Sequence, residues 1–174
     1  KNVGDLRPGT RTSAKLQTRG RKLGEFWRKK VDGLSIDLRN SGGDDFATAS
    51  DFAQLFWPKG KTLFTLRKAG KPDRAFVSNR DPAFQGLLLL LIDADTAGGA
   101  VAMASAVRSL NKALTIGAPT AGGTVEYSDL PLPSSTVLRV AVAEALSTEG
   151  HALHPPGVKP ELPVELRPSE ERQL

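Results

Sequence analysis

The stretch LLLLLIDADTAGGAVAMASAVRSL, Leu87–Leu110, constrains the fold of this chain more than any other. Six consecutive apolar residues, Leu87–Ile92, are followed by the small-residue turn Thr96-Ala97-Gly98-Gly99, and an apolar, alanine-rich run begins at Val101. The first run is far short of the roughly 20 residues a membrane helix needs and fits a strand buried on both faces. The second has helical length and composition, and ALTIG, Ala113–Gly117, reads as the next strand. Strand, tight turn, helix and strand in succession make a βαβ unit, whose crossover puts the two strands parallel and neighbouring.

The same alternation occurs upstream. KLGEFWRKKVDG places Leu23, Phe26, Trp27 and Val31 on one helical face before Asp32-Gly33 stops it. LSIDL, Leu34–Leu38, reads as a strand that ends in the turn Arg39-Asn40-Ser41-Gly42-Gly43. Phe46, Ala49, Ala53 and Phe56 then keep helical spacing until Trp57-Pro58. KTLFTLRK and RAFVSN read as strands about a turn at Gly70-Lys71-Pro72. After residue 120 the pattern changes: GTVEYSDLPLP, STVLRVAVAEAL and HALHPPGVKPELPVEL read as strands separated by turns, with no long helix. An α/β fold follows, with a mostly parallel sheet, crossover helices and extra C-terminal strands.

At 174 residues the chain suits one domain. Its net charge of +5 is uneven. Lys1, Arg7, Arg11, Lys15, Arg19, Arg21 and Lys22 face only Asp5 in residues 1–22, which read as a basic linker or arm. The arm has no interleaved aromatics and no nucleic-acid motif, so a solvated connection is expected rather than a nucleic-acid partner. Without cysteine there is no disulfide framework, thiolate metal site or Cys nucleophile. His151 and His154 stand in a proline-flanked loop without an evident third ligand, so neither a metal nor a cofactor is expected. No membrane span or signal peptide is visible, and a start at Lys1 without methionine suggests a piece of a longer protein.

Three separated segments resemble the catalytic domain of the C-terminal processing, or tail-specific, serine peptidases. Asp37-Leu38-Arg39-Asn40-Ser41-Gly42-Gly43 matches that family's D-L-R-N-x-x-G-G block. Ser147-Thr148-Glu149-Gly150 with Gly157-Val158-Lys159-Pro160-Glu161 matches its closing T-P-x-G and G-I-x-P-D. The third segment is the strand, turn and helix at Leu87–Leu110 with the following LTIGAPTAGGTVEYSDLPLP. The resemblance implies a crotonase/Clp-protease-like fold, with a tail-specific-protease-like domain at 23–166 and a tail at 167–174. It further implies a periplasmic or extracytoplasmic setting and, as partners, peptide or protein C-terminal segments and other domains of the parent chain.

Members of that family carry the nucleophile in x-A-S-A-S-E and the general-base Lys in T-F-G-K-G. Aligned without a gap, the Ser position falls on Gly98, the Lys position on Gly123 and the position of an assisting Gln on Tyr127. A Ser hydroxyl needs a base to take its proton, and Lys serves only when a desolvated pocket lowers its pKa. Glycines supply neither group, and loss of such a dyad costs on the order of 10⁶-fold in rate. The expectation is therefore a catalytically degenerate, peptide-binding or structural module. The backbone of Gly42, Gly43, Gly98 and Gly99 would retain oxyanion-like N–H groups. Two enzymatic alternatives stand beside it: a serine-type hydrolase with a relocated nucleophile, drawing on Thr96, Asp95 or Glu126, and a crotonase-like acyl-CoA enzyme using paired backbone N–H groups.

Overall fold

A computed structural model describes residues 3–6, 31–133 and 136–164. Two sheets share one core. The first has the order β1-β2-β5-β6-β9 and is parallel throughout, built from β1 (Val3–Leu6), β2 (Gly33–Asp37), β5 (Leu87–Ile92), β6 (Ala113–Gly117) and β9 (Leu162–Pro163). The second is antiparallel, ordered β4-β3-β8-β7, from β3 (Thr62–Arg67), β4 (Arg74–Val77), β7 (Val125–Pro131) and β8 (Val137–Leu146). Helix α1 (Phe46–Ala53) and helix α2 (Gly99–Arg108) pack on each other.

The parallel sheet follows from the βαβ logic. Leu34 and Ile36 of β2 and Leu88, Leu90 and Ile92 of β5 alternate onto one buried face, where each burial contributes about 1.5–3 kcal/mol. Helix α2 is buried from Val101 to Val107, and its small residues let it lie close to α1. A Cβ at Gly99 would stand 3.2 Å from that of Ala49, so the helix start is glycine for reasons of packing as well as of turn geometry. Asp45 caps α1 by accepting the Thr48 amide at 2.9 Å. In the second sheet Leu63 and Phe64 are both fully buried, and Phe64 meets Phe76 of β4 at 4.7 Å and Phe46 of α1 at 6.1 Å. These rings join the antiparallel sheet to the helical layer.

Several sequence expectations need correction. The run at Leu87–Ile92 is not buried on both faces: Leu88, Leu90 and Ile92 point into the core, whereas the alternate side chains of the pleated strand turn to its other face, where Leu87 is 64% exposed and Leu89 and Leu91 are half-buried. The strands of KTLFTLRK and RAFVSN form and pair antiparallel with each other as read, but they stand outside the parallel sheet, in a second sheet where β3 also pairs with β8. The linker reading of residues 1–22 does not extend to Val3–Leu6, which pair with β2 as β1. Four residues carry too little periodicity to announce a strand, and the partner supplies the order. Among the described residues of HALHPPGVKPELPVEL, only an isolated bridge at Ala152 and the two-residue β9 are extended pairings, since its prolines remove ladder donors. The helix expected over Leu23–Val31, apart from Val31 itself, the basic residues of the arm and the tail 167–174 lie outside the described residues.

Candidate functional site

The loops at the C-terminal ends of β2, β5 and β6 meet at one place. After β2, Asp37 accepts the Arg39 amide at 3.1 Å and its guanidinium Nε at 2.9 Å, which folds the turn back on the strand. Asn40 takes a left-handed φ of 53° and donates its amide to the Asp93 carboxylate at 3.0 Å. Asp93, immediately after β5, also accepts the Asp95 amide at 3.1 Å and the Thr96 hydroxyl at 2.8 Å. It therefore ties the two loops together from beneath the turn.

Gly98 stands at the strand-to-helix elbow with φ 59° and ψ −126°, a conformation that side chains rarely adopt. Its N–H donates to the Gly122 carbonyl at 3.1 Å, and the Gly99 N–H donates to the Gly43 carbonyl at 2.8 Å. The Ala97 amide bonds Ser41 and the Ala121 amide bonds Thr96, so three loops are stitched together by main chain alone. A Cβ built at Gly98 would overlap the Gly43 carbonyl oxygen, with the carbonyl carbon at 2.9 Å. A side chain at position 98 would therefore collide with backbone.

Gly122 and Gly123 have φ of 70° and 58°. A Cβ at Gly122 would overlap the Pro155 carbonyl oxygen, whereas one at Gly123 would meet only the Ala97 methyl at 3.9 Å. The segment Gly157–Glu161 secures this loop: Val158 and Thr120 exchange two bonds, at 2.9 and 3.0 Å. Glu161 accepts the Thr115 amide at 2.8 Å and also contacts the Thr115 hydroxyl and the Arg108 guanidinium. Burial pushes its carboxyl up, but the Thr115 hydroxyl and amide and then Arg108 outweigh that, and the group sits below the usual carboxylate range.

The structure brings Gly43, Gly98, Gly99 and Gly123 to one locus, with Gly42 next to them in the chain and exposed. The Gly98 and Gly99 N–H groups are engaged by protein carbonyls, so neither is presented as an empty oxyanion donor. Thr96 is fully buried, and its hydroxyl receives the Asp93 amide while facing Leu38 O at 3.1 Å and Asp93 Oδ1 at 2.8 Å. It is a clamp within the elbow. Asp95 is exposed. Glu126 is held by Arg74 at 2.6 Å, and Tyr127 lies under the Arg139 guanidinium, 4.8 Å from its ring centre. Arg139 continues to Asp44 at 2.6 Å, which ties the β7–β8 hairpin to the residue after Gly43. His151 and His154 are exposed, and His151 pairs with Glu149 at 3.5 Å.

Three contributors escaped sequence reasoning. Asp93 had a usable signal, an acid placed directly at the end of an apolar strand. Arg139 and Asp44 had none, because 95 positions separate them in the chain.

This is the architecture of a C-terminal processing peptidase core. The sequence profile of peptidase family S41 matches residues 9–164, and the chain belongs to that family. It is 27% identical over 143 residues to a carboxyl-terminal-processing protease of Synechocystis sp., covering 82% of this chain and 33% of that protein. A CtpA-like serine protease of Staphylococcus aureus is 28% identical over 140 residues, covering 77% and 28%. The chain thus spans about a third of the length of these curated relatives. Among solved structures, the photosystem II D1 C-terminal processing protease superposes with a TM-score of 0.81 at 21% identity, over 94% of this chain and 42% of that one. Among the described residues, no helix is long and apolar enough to cross a membrane.

Proposed function

We propose that this chain is a catalytically degenerate S41 domain that binds peptide, or serves as a structural module, within a larger extracytoplasmic protein. The observation that carries the reading is Gly98. It occupies the family's nucleophile position, keeps the strained elbow backbone, and has the Gly43 carbonyl where a side chain would begin. Gly123, at the position of the general-base Lys, has no amine to offer. The alternative nucleophile has little support: the Thr96 hydroxyl is buried, bonded on every side, and next to a carboxylate that fixes the turn. For the acyl-CoA alternative, the paired N–H groups of Gly98 and Gly99 are already spent on protein carbonyls.

The relatives' names supply the ligand class, since C-terminal processing acts on polypeptide ends. A polypeptide binds such a fold by adding a strand, with main-chain hydrogen bonds giving affinity. Incubation of the purified chain with unstructured peptides, followed by mass spectrometry, is expected to give no cleavage. Labelling with a fluorophosphonate is expected to give no adduct. Cleavage that disappears in Thr96→Val would overturn the reading.

A further inference from the structure

The β7–β8 hairpin reaches beyond the body of its sheet. β3 pairs with β8 only at Glu144–Leu146, whereas β7 runs beside β8 from Glu144 to Val137. Over Val137–Ala143, β8 therefore has a strand on one side and none on the other among the described residues. The ladder fixes which groups face outward. The Leu132 amide bonds the Thr136 carbonyl at 2.8 Å, so the 132/136 pair is hydrogen-bonded. Antiparallel pairs alternate. It follows that Leu138 and Val140 turn their main-chain groups to β7, and that Val137, Arg139 and Ala141 turn theirs to the open edge.

The two edges of this ribbon are built differently. On β7 the outward positions are Tyr127, Asp129 and Pro131, and the proline has no N–H to offer a further strand; Asp129 and Arg139, paired across the ribbon, put one charge on each edge. On β8 all three outward residues keep donor and acceptor. The face beside them is apolar and open, with Leu130 at 48%, Leu138 at 49% and Leu132 at 42% exposed. An open edge flanked by an apolar face fits an extended segment carrying an apolar side chain at every second position.

We infer that the open edge of β8, at Val137, Arg139 and Ala141, is the peptide-docking strand of this domain. The inference rests on the peptide-binding reading above and moves the ligand from the closed elbow to the hairpin. A second copy of the chain fits less well. A two-fold pairing that used all three outward residues would set Arg139 directly against its own copy, and like charges opposite each other destabilise a strand pair.

The test is an amide-resolved NMR titration of the 174-residue chain with a capped decapeptide of alternating valine and threonine. Saturable shifts confined to Val137–Ala141 are expected. Ala141→Pro removes one outward N–H, leaves the β7 ladder intact, and should weaken binding at least about tenfold with little change in melting temperature. Val137→Pro is the second variant should Ala141→Pro unfold. Shifts centred on Thr96–Thr124 with undiminished binding by the proline variants would overturn the docking strand and leave a non-cleaving peptide module standing. Doubling of the mass in solution with the β8 amides affected would overturn it in favour of a second copy. No saturable shift anywhere would overturn both the docking strand and the peptide-binding part of the proposed function.

Discussion

The elbow and the β7–β8 hairpin lie against each other through Arg139 and Asp44, yet they are finished in opposite ways. At the elbow every amide from Ala97 to Gly99 has a carbonyl partner within 3.1 Å, and backbone occupies the place of a side chain. On the hairpin, Val137, Arg139 and Ala141 turn main-chain groups to an edge with no strand beside it among the described residues, and leucines are exposed. The difference teaches where capacity for new contacts resides. A turn whose amides are paired internally gains little from a ligand there, whereas an unpaired strand edge gains a hydrogen bond for each group matched.

The contrast can be broken most forcefully at Gly98. Gly98→Ser would combine a positive φ with overlap on the Gly43 carbonyl, and it is expected to destabilise the chain by about 2–4 kcal/mol in chemical denaturation. A Gly98→Ser protein as stable as the parent would show that the Gly43 peptide moves aside readily. Thr96→Val comes next: it strands the half-buried Asp93 amide and removes the bond to Asp93 Oδ1, a cost of about 1–3 kcal/mol in the same measurement.

The Glu161 clamp is a pH probe of the same loops. Its folded-state pKa is lowered, so it contributes stability above the unfolded carboxylate value of about 4.3 and loses it as pH falls through the lower folded value. Glu161→Gln should flatten that part of the acid limb in melting temperature against pH. On the hairpin, Arg139→Ala removes an exposed ion pair and a cation–ring contact, and about 0.5–1 kcal/mol or less is expected. A larger loss would mean that the hairpin is braced against the Gly43 loop far more firmly than exposed contacts allow.

Much of the elbow was legible because its rules are local. An apolar run, small residues and an alanine-rich helix specify strand, turn and helix, and glycines at 98 and 123 exclude a nucleophile and an amine there whatever the fold does. The DLRN turn was legible as a motif, but its attachment to Asp93 was not, since that bond spans 53 positions. The hairpin was legible as two strands. That one of its edges is blunted and the other open depends on register, which a strand pattern by itself leaves undefined.

By itself, then, the sequence determined the α/β succession of elements, the family, and the glycines at 98, 99, 122 and 123 that form the turns. These are properties of side-chain identity and short-range period. Tertiary structure alone decided the division into two sheets, the recruitment of Val3–Leu6, the one-sided burial of Leu87–Ile92, and the filling of the elbow by the Gly43 carbonyl. Each depends on which distant main-chain group arrives within a few ångströms of another. Every residue carries the same amide and carbonyl, so no residue letter records that meeting.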